Sequence, residues 1–106
     1  TKLNIPVVPG ADDTDFFTAW ARVEAYLDAA QPEFIIMQCG ADSLEGDPIT
    51  HLCWTEEAHA AAAASLCRIA DKHGGGRIIC TGGGGYNRHN LARAWTRVVQ
   101  SLVEAG

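Results

Sequence analysis

Residues 81–90 read TGGGGYNRHN, four consecutive glycines behind an apolar run and directly ahead of a tyrosine. Backbone N–H groups at a helix start suit an anion, so a phosphate cradle is one chemistry such bare backbone allows. The spacing argues against it. GxxxxGK[ST] is absent, and counting from Gly82 the sixth position of a dinucleotide fingerprint is Asn87. A tight strand-to-helix turn needs one or two glycines. Four of them, each costing about 0.5–1 kcal/mol relative to alanine in regular structure, imply that something approaches the backbone closely. The wall of a ligand channel answers that requirement.

A second loop carries acid. In QCGADSLEGDPITHL (38–52), Asp42 follows an apolar run through Gly40 and Ala41. A carboxylate at that edge of a sheet serves as a metal ligand, a general base or a brace for its own loop, and bracing is the commonest of the three. Asp47 is expected to brace the same loop. Glu56 and His59 have the ExxH spacing of a di-iron half-site, but no second copy exists, so they read as a first-turn acid and a surface imidazole. Cys39, Cys53, Cys67 and Cys80 lack CxxC pairing and are expected as buried free thiols, neither bridged nor clustered on zinc. Cys39 ends an apolar run with no histidine placed to activate it. Trp20 and Trp95 sit at helical spacing and read as core, whereas Trp54 is placed to line a pocket.

The elements that must position these groups follow from periodicity. Residues 12–31 open with acids and then place Phe16, Trp20, Val23 and Leu27 on one helical face. FIIMQC (34–39) is a continuous apolar run of the length of a strand buried on both faces. Thr55 caps an alanine-rich helix that carries two glutamates in its first turn and ends with Lys72 and His73 before glycines. RIICT (77–81) is the second buried strand, and Leu91, Trp95, Val98 and Leu102 repeat at helical spacing after it. Strands joined by helices pair in parallel and bind ligands beyond their carboxyl ends, where both loops fall. LNIPVV (3–8) is a candidate further strand, restricted by its prolines.

With 106 residues the chain reads as one domain, 1–106. Its formal charge of -5 and the absence of a basic cluster exclude a phosphate-tracking surface, so no nucleic acid is expected as a partner. No stretch reaches the ~20 apolar residues of a membrane span, and TKLNIPVVPG does not read as a signal peptide. A soluble chain in the reducing cytoplasm is the expectation.

Together, FIIMQCGADSLEGDPITHL (34–52) and RIICTGGGGYNRHNLARAWTRV (77–98) resemble the zinc-dependent histone deacetylase superfamily, in its class I and acetoin-utilisation branch. NIPVVPGADDTDF (4–16) is similar to the segment just ahead of them, so the resemblance covers nearly the whole chain. It implies an α/β fold: a parallel sheet with flanking helices, the C-terminal portion of an arginase/deacetylase-like three-layer fold. It also implies hydrolysis of acetyl-lysine or a related acetylated amine at Zn2+ held by Asp, His and Asp. Carried over residue by residue, Asp42 matches the second aspartate ligand and Tyr86 the tyrosine that donates to the substrate carbonyl and its oxyanion. Ile49 matches a pocket-lining position, and Gly84 and Gly85 flank the path of the acyl-lysine chain.

The family's Asp-x-His element and paired histidines have no counterpart here, since His51, His59, His73 and His89 are scattered. The chain is therefore expected to be a C-terminal fragment of a deacetylase domain, unable to hold catalytic zinc by itself. The alternative is a non-catalytic α/β module that forms homo-oligomers through surfaces an incomplete sheet leaves open.

Overall fold

The computed structural model describes all of residues 1–106. Helix α1 (Asp13–Ala30) is followed by β1 (Ile35–Gln38), α2 (Glu56–Gly74), β2 (Ile78–Thr81) and α3 (Arg88–Ala105). This is the order read from periodicity. Asp12 caps α1 through a capping box, its side chain accepting from the Asp15 N–H while the Asp15 side chain accepts from its own. The helix closes on Gln31 in the left-handed region (φ 53°), just before Pro32. Thr55 caps α2 as expected, and Gly75 ends it at φ 61°. Residues 3–8 form no strand, which corrects that possibility: Pro6 within the segment and Pro9 just after it each remove a ladder donor.

The two strands pair in parallel, Ile35 opposite Ile78 and Gln38 opposite Thr81, with α2 as the crossover between them. Their inner residues face α2: Ile35 packs with Leu66, Ile69 and Ala70, and Cys39 with Ala63 and Val98. Alanine dominates the buried surface of α2, and Ala58 and Ala63 are fully enclosed, which lets α1, α3 and the strands approach one helix closely. Ser101 on α3 donates across this contact to the carbonyl of Ala60. Phe16 stacks on Trp20 and meets Trp54 edge-on at 5.0 Å, closing the core beside α1.

The strands are covered on one face only. Ile36 is 70% exposed and Ile79 51% exposed, on the side away from α2. Burial on both faces, the expectation from FIIMQC and RIICT, is thereby corrected. The physical reason is that no element of this chain lies over the second face. No helix is long and apolar enough to cross a membrane.

Candidate functional site at the carboxyl ends of the strands

Parallel hydrogen bonding continues past the last strand residues. The Cys39 N–H donates to the Thr81 carbonyl at 2.8 Å and the Ala41 N–H to the Gly84 carbonyl at 2.6 Å. The two loops therefore leave the sheet side by side, and each glycine of the run has its own neighbour. A Cβ on Gly82 would lie 3.0 Å from the Trp95 ring, and one on Gly83 2.6 Å from Cδ of Gln38. At Gly84 it would strike the Asp42 carboxylate, 2.8 Å from Cγ. Gly85, at φ +139°, would put it 2.8 Å from Leu91. The close approach inferred from four glycines is thus already made by the chain's own side chains.

Asp42 is half-buried, and its main-chain carbonyl accepts from the Thr50 hydroxyl. The bracing bonds of this loop go instead to Asp47, which is 8% exposed. One Asp47 oxygen accepts from the N–H groups of Ile49 (2.8 Å) and Thr50 (3.2 Å), and the other from that of Tyr86 (2.9 Å). Burial by itself would raise the Asp47 carboxyl. The donors from Tyr86, Ile49 and Thr50 outweigh it and hold the group below the usual carboxylate range. Two asparagines stitch the start of α3 to the same loop. Asn87 caps the helix and donates to the Gly46 carbonyl, and Asn90, 3% exposed, donates to that of Glu45 at 2.9 Å.

Tyr86 is 58% exposed and Ile49 64% exposed, at the tips of the two loops. Neither lines the cavity of about 400 Å³ that opens between the N-terminal segment, α1, β1 and α2. Asp42 does line it, with Gln38, Ser43, His59 and Trp54, so the placement of Trp54 at a pocket agrees with its position in the sequence. His59 is a correction: it is 6% exposed, not a surface imidazole, and its Nε2 lies 2.7 Å from the Gly40 carbonyl. Its spacing from Glu56 concealed this. The side chain turns inward beneath the turn that carries Asp42, whereas Glu56 faces Arg93 at 3.6 Å. All four cysteines are free thiols, and burial, with Cys80 beside it, pushes Cys39 up to about 11. At 3% exposure its sulfur is also closed off from a substrate.

No group of three or more His, Cys, Asp or Glu side chains converges to hold a metal ion. Asp42 stands alone as an oxygen donor, and the residues of this chain do not by themselves fit a catalytic zinc, which takes about three protein ligands and a water.

The profile described as "Histone deacetylase domain" matches residues 1–102. Histone deacetylase clr6 of Schizosaccharomyces pombe is 35% identical over 95 residues, covering 89% of this chain and 22% of that protein. Acetoin utilization protein AcuC of Staphylococcus aureus is 33% identical over 104 residues, 96% of this chain and 27% of AcuC. Among solved structures, the HDA15 HD domain superposes with a TM-score of 0.83 at 26% identity, covering 92% of this chain and 26% of that one. Histone deacetylase Clr3 gives 0.79 at 30% identity, with 92% and 16% covered. The chain thus spans 22% and 27% of the two relatives' lengths.

Proposed function

The chain belongs to the histone deacetylase domain family, and on that premise we propose that it is the C-terminal part of a zinc-dependent deacetylase acting on acetyl-lysine or a related acetylated amine. In this reading Asp42 supplies one metal ligand, Tyr86 donates its phenol O–H to the substrate carbonyl, and Ile49, Gly84 and Gly85 border the acyl chain. The observation that supports it is the bond between the two loops, Ala41 N–H to the Gly84 carbonyl at 2.6 Å. It holds the Asp42 carboxylate against Gly84, two residues ahead of Tyr86. The charge that grows on an amide oxygen during hydrolysis is what a fixed phenol donor stabilises. Unpaired cysteines accord with a reducing, cytoplasmic setting.

Because one carboxylate is too few for zinc, the 106-residue chain alone should retain no stoichiometric zinc after dialysis and should leave an acetyl-lysine peptide intact with zinc added. In the complete domain, Asp42→Ala should release the metal. A one-to-one zinc complex of the short chain with chelator-sensitive turnover would overturn the fragment reading. It would show that histidines such as His51, His59 or His89 form a site with Asp42.

A second reading rests on the bare sheet face, where Ile36, Ile79 and the neighbouring Phe34 (49% exposed) leave apolar surface in water beside open strand edges. Such a surface favours pairing of copies. Sedimentation over a range of concentrations should show mass rising with concentration, and Ile36→Lys with Ile79→Lys should abolish the rise. A monomer throughout would remove this reading.

A further inference from the structure

Tyr86 follows four residues without side chains, and its own ring is more than half exposed. Neither packing nor local backbone stiffness therefore fixes the place of its phenol. Its neighbours Gly84 and Asn87 are bonded to the other loop, and the bond Tyr86 itself makes is the 2.9 Å contact from its N–H to an Asp47 oxygen, across 39 positions of chain. We propose that Asp47 is the positioning residue of the candidate site, setting Tyr86 relative to Asp42 through its two carboxylate oxygens. This rests on the reading of Asp42 and Tyr86 given above.

Three observations carry it. Bracing a loop of this length takes one oxygen, and the Asp47 oxygen that accepts from Ile49 and Thr50 already does so. The second oxygen is directed to the other loop. Thr50 then links the first arm to Asp42, because its N–H reaches Asp47 while its hydroxyl reaches the Asp42 carbonyl. One carboxylate thereby joins the backbones of both proposed site residues. Finally, Asp47 is 8% exposed, and a charge so buried is retained only when its acceptors are filled. Each of its oxygens has a donor.

Asparagine tests this with little change of shape. Its single acceptor oxygen can serve Ile49 and Thr50, and its NH2 group then faces the Tyr86 N–H, donor against donor. In the 106-residue chain, Asp47→Asn should speed amide exchange at Tyr86 at least about ten-fold while core amides of α2, such as Leu66, keep their protection. Unchanged protection at Tyr86 would overturn the proposal. Should the variant lose its α2 protection as well, through-bond coupling between the Tyr86 nitrogen and the Asp47 carboxyl carbon in the unaltered chain decides the matter: its presence supports the bond and its absence overturns it.

In the complete domain, Asp47→Asn should lower kcat about ten-fold with KM unchanged, less than the ~10²-fold that a misplacement of about 1 Å can cost. In a Tyr86→Phe background the same substitution should lower kcat no further, because its effect acts through the phenol. Multiplying losses would show that Asp47 supports the fold generally and would overturn its positioning role. The reading of Tyr86 itself fails separately, if Tyr86→Phe alone leaves kcat unchanged.

Discussion

In the complete deacetylase domain, Tyr86→Phe should lower kcat about 10²–10³-fold, the range for removing one oxyanion donor. Two features of the structure separate this from a folding effect. Tyr86 is 58% exposed and its hydroxyl has no partner within the chain, so removing it opens no cavity and strands no buried partner. The main chain of residue 86 is held through its N–H, which phenylalanine keeps. Thermal midpoint and zinc content should therefore match the unsubstituted domain, and the loss should fall on kcat with KM little changed. Equal turnover of an acetyl-lysine peptide by the two proteins would take Tyr86 out of the chemistry, and a lowered midpoint would mean that the ring has a packing role.

Gly85→Ala should be the most damaging single-atom change in the glycine run. At φ +139° an L side chain is strained, and the new Cβ would lie 2.8 Å from Leu91 Cδ1 and 3.0 Å from the Cβ of Ala41. Leu91 can rotate, but Ala41 is fully buried and its methyl has no other rotamer to adopt. Backbone strain of about 1–3 kcal/mol and crowding of similar size add to roughly 2–6 kcal/mol. For a domain of this size that corresponds to a fall in Tm on the order of 10 °C or more. Gly10→Ala is the control, with φ +84° and open space around the added atom, so that only the backbone term applies. A Gly85→Ala midpoint no lower than that of Gly10→Ala would mean that the two loops are not packed as described.

What could be read from the sequence was local. Thr55, the paired glutamates and Gly75 mark the ends of α2 because capping depends on residues within one turn. The place of Asp42 just past the carboxyl end of β1 is legible because a strand and two small residues lead into it. The faces of the strands are not. An apolar run does not say which element covers each face of a strand, and nothing in this chain lies over the face that carries Ile36 and Ile79, so they meet water. His59 was misplaced for a related reason: its helical spacing from Glu56 says nothing of the Gly40 carbonyl 19 positions away that draws it inward. The bonds from Asn90 to Glu45 and from Tyr86 to Asp47 span 45 and 39 positions, beyond any spacing rule. Asp47 was recognised as a brace, but its second oxygen became visible only once the loops were placed together.

The arrangement of the helices also sets an order in which the molecule opens. Helix α2 touches each of the other four elements, whereas α1 rests chiefly on α2 and on Trp54 just ahead of it, pinned at its start where both Asp13 oxygens accept from Thr55. Regions with few buried apolar contacts open at lower free energy than the core. For this chain that opening is the swinging away of α1, which leaves α2, α3 and the strand ladder closed. Such a motion uncovers Phe16, Trp20 and the cavity beside Asp42, while the bonds that tie Tyr86 to the neighbouring loop stay intact. Asp42 and Tyr86 stay joined through Asp47, Thr50 and the bond from Ala41 to Gly84, so such an opening should admit solvent to the cavity without separating the two loops.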